Sequence, residues 1–230
     1  MQSSCHPIST NYKKNRPMAS ICGTKTMKFF CAGSDSKMRI IHTRLLALLI
    51  LVLLLVSRNT IEGRVQMGLL DFAGLICVII SAFGRVWSSV YIAGYKTSAL
   101  VESGPYSVTR NPLYLFSLIG TVGVGLASGS ILILVLLMLC FGIYYPFVIR
   151  REETNLGRLH GPEFLSYMDR VPRFLPKLSL YSEPETYTVK PKLLRRALLD
   201  ASYFVWVFGV VQLIENLREA GVFPALFRIP

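Results

Sequence analysis

The chain has 230 residues, of which 52% are hydrophobic and only 17% charged, and its mean hydropathy is +0.48. Ordinary soluble domains carry roughly 25% charged residues, so the composition excludes a water-soluble globule and points to an integral membrane protein of helical type. The net charge of +12 is explained by basic segments flanking apolar runs. No basic helix with interleaved aromatic residues is present, so nucleic acid is not an expected partner.

Residues 1–38 are polar, basic and without periodicity, and read as a disordered extension. Met38 precedes Arg39 and the first apolar run and is read as the working start, a point that N-terminal protein sequencing checks. The first span is expected over residues 40–56; only Ser-Arg-Asn-Thr follows it, with no small-x-small cleavage site, so it is a retained span rather than a signal peptide. Further spans are expected over 68–94, 113–128 and 131–149, and a fifth over 197–217, weakened by Asp200 and Glu215. The fold class is therefore all-α, a polytopic transmembrane bundle with about five spans. Its parts are the extension 1–38, a first span and loop 39–67, a core 68–176, and a linker with the fifth span 177–230.

Basic residues set the orientation. Lys28, Lys37, Arg39 and Arg44, then Arg150, Arg151 and Arg158, then Arg195 and Arg196 all fall on one side when crossings alternate. That side is expected to be cytoplasmic, with the N-terminus on it. The stretch 104–114, Gly-Pro-Tyr-Ser-Val-Thr-Arg-Asn-Pro-Leu-Tyr, falls there too. Spans three and four are joined by Ser-Gly-Ser at 128–130, so they form a hairpin that brings 104–114 next to the polar segment after residue 149.

The residues of that stretch have individual uses. Pro112 suits the first turn of a helix, and Asn111 suits the N-cap, its side-chain oxygen accepting a backbone N–H. The free N–H groups at that helix start favour an anion, and Arg110 adds a permanent charge suited to a carboxylate. Tyr106 and Tyr114 offer ring faces and hydroxyls. The same residues also suit a merely capped helix with an interfacial tyrosine belt. Glu152 and Glu153 lie about 100° apart on a helix; one pairing with Arg150 or Arg151 leaves the other for a ligand's ammonium or hydroxyls. Pro172 and Pro176 bracket a non-helical segment that lies along the interface or covers a cleft. Arg85 stands about nine residues, roughly 13 Å, inside the second span, where a charge usually faces the bundle interior or a cavity. Gly120, Gly123, Gly125 and Gly129 neither follow a strand nor open a helix, so they are packing residues and not a dinucleotide loop.

The five cysteines and three histidines are scattered, with no Cys-x-x-Cys and no metal constellation. A transporter is disfavoured, because apart from Arg85 the spans hold no midplane charge chain and no inverted repeat.

Taken together, Gly104-Pro105-Tyr106, Arg110-Asn111-Pro112-Leu113-Tyr114, Glu152-Glu153, Gly161, Phe164 with Tyr167, and Val171-Pro172-Arg173 with Pro176 carry a family pattern. Over about residues 80–176 the sequence resembles the isoprenylcysteine carboxyl methyltransferase and phospholipid methyltransferase superfamily of integral-membrane enzymes. The resemblance implies S-adenosylmethionine held in a cytoplasm-facing pocket within the helices. Tyr106, Arg110, Asn111, Pro112, Tyr114, Glu152 and Glu153 then bind the cofactor, Arg110 and the helix start taking its carboxylate. Arg173, Arg85 and Glu153 are the candidate catalytic residues, either arginine holding an acceptor carboxylate. The implied partner is a lipid or lipidated acceptor reaching the site sideways between helices. The expected activity is most like protein-S-isoprenylcysteine carboxyl O-methyltransferase; Asn111 departs from the histidine usual there. Methylation of a phospholipid amine or a small thiol is the alternative, and a non-catalytic membrane scaffold is the rival of another class. A bacterial inner membrane is favoured, or the endoplasmic reticulum membrane if the chain is eukaryotic.

Overall fold

Long apolar runs satisfy their backbone groups in lipid by forming helices. The computed structural model describes residues 64–92, 100–186, 189 and 191–220, and every regular element among them is helical. The expected extension 1–38 and first span 40–56 lie outside the described residues. The elements are α1 (Arg64–Ile92), α2 (Pro105–Val108), α3 (Pro112–Ala127), α4 (Ile131–His160), α5 (Pro162–Arg170), a single 3-10 turn (Leu178–Leu180) and α6 (Pro191–Glu219).

Helices α1, α4 and α6 are each long and apolar enough to cross a membrane. The 16 residues of α3 reach about 24 Å, short of a hydrocarbon core of ~30 Å. Its first turn accordingly starts inside the bundle, with Pro112 fully buried. Hydropathy places the end of the fourth span at residue 149, but α4 runs on through Glu152 and Glu153 to His160 and contains Pro146. About three further turns of helix thus follow the apolar run, with both glutamates in the first of them. Helix α6 packs against both α1 and α3. Within it, Glu215 is paired with Arg218 at 3.1 Å, and Gln212 Nε2 donates to Asp71 Oδ1 of α1 at 2.8 Å.

The core gathers Val78 of α1, Val124 and Ala127 of α3, Ile133 and Leu137 of α4 and Val211 of α6, with Phe204 and Phe208 packed on it. Helices α1 and α3 meet through glycines. A Cβ on Gly123 would stand 2.7 Å from the Gly74 carbonyl oxygen, and one on Gly120 would stand 2.5 Å from Ser81 Oγ. Close backbone approach of this kind replaces the hydrophobic drive that lipid removes. Gly123→Ala is therefore expected to cost about 1–3 kcal/mol by overpacking. Nothing lies within 4 Å of the Cβ position at Gly142, and Gly142→Ala should be neutral or gain up to ~1 kcal/mol from helix propensity. Thermal unfolding in detergent, followed by circular dichroism, should separate the two in opposite directions.

Candidate functional site

The loop between α1 and α3 turns at Gly104, whose φ of +60 is left-handed; a Cβ there would also sit 2.3 Å from the Tyr91 ring. Glycine answers both demands. From this turn the chain runs through α2 to Arg110, and residues 172–182 lie alongside it. Arg110 N–H donates to Pro172 O at 2.9 Å, Lys177 N–H to Val108 O at 2.9 Å, and Gly104 N–H to Ser182 O at 2.7 Å. The Thr109 hydroxyl donates to Phe174 O at 3.1 Å. The segment bracketed by Pro172 and Pro176 is non-helical, and its backbone groups are satisfied by the 104–111 loop rather than by a helix. Phe164, Tyr167 and Val171 form a small second core with Leu156 that seats α5 and this strap on the end of α4.

The far end of the strap is held by Glu183. It accepts from the Tyr91 hydroxyl at 2.7 Å and the Tyr181 hydroxyl at 2.9 Å, and these two bonds hold its carboxyl below the ordinary carboxylate range. A lowered folded-state value means the stabilisation is complete above the unfolded carboxylate pKa and is lost as pH falls through the lowered one. Acidification is expected to loosen the strap. Hydrogen exchange at Ser182 and Gly104, corrected for intrinsic pH dependence, should show an acid step in the wild type that Glu183→Gln lacks.

Glu153 is the junction of the site. Buried on α4, it accepts from Arg173 Nε at 3.1 and 3.2 Å and from Nη2 of the same arginine. Asn111 Nδ2 approaches its Oε1 at 3.5 Å, as does Arg110 Nη1. Bonding to Glu153 raises the Arg173 pKa. Glu153 thus pairs with Arg173 and Arg110 and not with Arg150 or Arg151, which are exposed on other faces of α4. Asn111 also departs from expectation. It precedes Pro112 at the start of α3, and its carbonyl accepts from the Tyr114 and Leu115 N–H groups. Its side chain makes no cap; the amide donates instead to Arg173 O at 3.0 Å, crosslinking loop to strap.

Beside this junction stand buried polar atoms with no hydrogen-bond partner among the described residues: Arg110 Nε and Nη1 and the Tyr106 hydroxyl. Such atoms are uncommon in a finished fold and mark places where a ligand's groups are wanted. Burial, then the proximity of Tyr167, Glu152 and Tyr114, pushes the Tyr106 hydroxyl well above its ordinary pKa. It is therefore a donor. The Tyr167 hydroxyl, also raised by burial, donates to Tyr106 O at 2.8 Å. Glu152, half-buried, forms no ion pair among the described residues. Within one loop-to-helix junction, then, lie a guanidinium edge, a protonated phenol and an unpaired carboxylate.

Arg85 stands apart from the Arg173–Glu153 pair. From α1 its Nη1 donates to Ser117 Oγ of α3, and its guanidinium carbon lies 5.5 Å from the Phe204 ring centroid. Its Nε is buried without a partner. Tyr114 packs on Tyr145 of α4 at 5.2 Å, and Tyr145 stacks on Phe141 at 3.9 Å. Sequence reasoning overlooked Ser117, Tyr145 and Thr109, and named Tyr167 only as part of the motif pattern. For Tyr145 a signal existed: it precedes Glu152 by seven residues, two helical turns, and so shares its face.

The Phospholipid methyltransferase family model matches residues 64–163, the interval from α1 into α5 that carries Tyr106, Arg110 and both glutamates. The cobalt-zinc-cadmium resistance protein CzcN of Cupriavidus metallidurans is 36% identical over 183 residues, 80% of this chain and 84% of that protein. The chain belongs to the phospholipid methyltransferase family. This is the superfamily of integral-membrane methyltransferases that the motif pattern resembles. A second relative, the nickel-cobalt-cadmium resistance protein NccN of Alcaligenes xylosoxydans xylosoxydans, is 39% identical over 157 residues, 68% of this chain and 73% of that one. Neither relative is named as an isoprenylcysteine enzyme. No solved structure matches the chain. The interval matched by the family model stops short of the strap: Arg173 and α6 lie beyond it.

Proposed function

We propose that the chain is an S-adenosylmethionine-dependent methyltransferase acting on a lipid or lipidated acceptor, with its site at the cytoplasmic face of a bacterial inner membrane. The observation that carries the reading is the buried guanidinium edge of Arg110 and the buried Tyr106 hydroxyl, both without hydrogen-bond partners, beside the unpaired Glu152. The amino-acid end of the cofactor is a zwitterion. Arg110 and Tyr106 fit its carboxylate as two donors, and Glu152 fits its ammonium or the ribose hydroxyls. Tyr114 and Pro112 supply the apolar wall at the start of α3. When bound, the cofactor supplies a methyl sulfonium already activated for in-line displacement.

The chain's own residues then have positioning tasks. Glu153 and Arg173, with Asn111, lock the strap to the loop, exclude water and align donor with acceptor. A carboxylate acceptor gives up no proton on methylation, whereas an amine or thiol must lose one to a base, so the carboxylate asks least of these residues. The relatives' names suggest a setting, resistance to divalent heavy metals, in which we place the activity.

The test is transfer of labelled methyl from S-adenosylmethionine by the detergent-purified protein to membrane lipid extract and to a prenylated cysteine analogue. Base-labile label indicates a methyl ester, stable label on lipid indicates an amine. A folded protein that neither transfers methyl nor binds S-adenosylhomocysteine by calorimetry would be a scaffold instead.

A further inference from the structure

We infer that Arg85 is the floor of a second, deeper subsite that binds the oxyanion of an amphiphile dissolved in the membrane. A guanidinium within a span is costly and normally has an anionic partner or a polar cavity. Arg85 has no carboxylate within ion-pair distance among the described residues. Its single hydrogen bond is to Ser117 Oγ, a hydroxyl that itself donates to Leu113 O at 2.7 Å. Its Nε–H is buried and aimed at no acceptor. Asp200 is exposed on α6 and makes no ion pair with Arg85. Arg173, the other arginine nominated for an acceptor, has its charge met by both oxygens of Glu153. Arg85 alone of the two has its charge unmet by a carboxylate.

The place of Arg85 in the bundle connects it to the site above. Asn111 stands just before α3, and within the helix Tyr114 and Ser117 are neighbours about one turn apart, so the step from the loop down to Ser117 is about 9 Å. On α4, Tyr145 lies two turns from Glu152 on the same face. The Tyr114 and Tyr145 rings meet between these levels. A lane of hydroxyls and rings therefore leads from the Tyr106–Arg110–Glu152 cluster down to the Arg85 guanidinium, with Phe204 and Phe141 as apolar walls. A fork of N–H donors at the end of an aromatic lane, at membrane depth, fits a carboxylate or a phosphate carried on an apolar chain. The inference rests on the methyltransferase reading only in naming that amphiphile as the acceptor.

The experiment uses the full chain in a non-ionic detergent, with binding read by calorimetry and by shift of the thermal midpoint. The probes are hexadecanoate, hexadecyl phosphate, hexadecanol and hexadecylamine, with acetate and inorganic phosphate as free anions. The wild type is expected to prefer the two anionic amphiphiles over the alcohol and amine by about tenfold or more. Arg85→Gln and Arg85→Met should erase that preference, Arg85→Lys should keep part of it, and S-adenosylhomocysteine affinity should be unchanged in all three. If a variant fails to fold, the wild-type preference decides. No preference for anionic chains overturns the inference, as does a preference that survives in folded Arg85→Met. Free phosphate or acetate binding as tightly as the amphiphiles overturns a membrane-borne ligand. Anion preference tracking Arg85 without any S-adenosylhomocysteine binding would keep the subsite and remove the methyltransferase reading.

Discussion

Arg110→Ala is expected to weaken S-adenosylhomocysteine binding by about tenfold to a hundredfold, the loss of a charged hydrogen bond worth ~1.5–3 kcal/mol, while the thermal midpoint barely moves. The guanidinium is buried, 13% exposed, yet its Nε and Nη1 make no hydrogen bond. Removing it discards a desolvated charge whose ion-pair partner among the described residues, Glu153, keeps Arg173. Stability and affinity should therefore separate. Tyr106→Phe should cost a smaller factor of affinity for the same reason, since its hydroxyl also lacks a partner in the fold. Glu152→Gln distinguishes the two glutamates: it should lower affinity about tenfold or more with the midpoint unchanged. Calorimetry and unfolding on the same preparations decide it. Unchanged affinity in both Arg110→Ala and Glu152→Gln would remove the cofactor assignment.

The distinction between the glutamates was not legible in the sequence. They are adjacent and chemically equivalent, and hydropathy ends the span before them. What separates them is that α4 continues without a break, and that one of two faces about 100° apart points at the loop. The apolar runs themselves were plain, because lipid favours helix for them; α1 starts four residues before the expected span, α6 extends beyond its own at both ends, and α3 begins at Pro112, where a missing N–H costs nothing. Asn111 shows where local reasoning stops. Its position before a proline argues for a side-chain cap, but a carbonyl 62 residues downstream competes for the amide. The cap is lost and a long-range crosslink gained, and no local propensity encodes that exchange. The Gly120 and Gly123 reading needed no such partner information, since small residues at helical spacing in an apolar run have few uses besides close packing. Arg85 was legible as anomalous from its depth alone; that its anomaly persists, with Nε unsatisfied, required the fold.

The second large effect concerns stability. Glu153→Ala removes the anion against which Arg110 and Arg173 are both held and also strands the Asn111 amide contact at 3.5 Å. Breaking a buried ion pair by deleting one partner costs about 3–5 kcal/mol, because the remaining charge is left uncompensated. Here the cost is shared unequally. Arg173 is 46% exposed and recovers solvation, so its share is discounted for screening. Arg110 is enclosed and supplies most of the penalty. A net loss of about 3 kcal/mol should lower the midpoint by ~6–12 °C for a chain of this size. Glu153→Gln should lose less, since its amide oxygen still accepts from Arg173. The decisive measurement is the cycle with Arg110→Met. If the penalty is an uncompensated arginine, adding Arg110→Met to Glu153→Ala should recover much of the midpoint, although it deletes a second polar residue. Additive losses would instead mean that Glu153 holds the strap through Arg173 alone. An unchanged midpoint in Glu153→Ala would mean that its carboxylate is free for a ligand, and the division of labour between the two glutamates would have to be reversed.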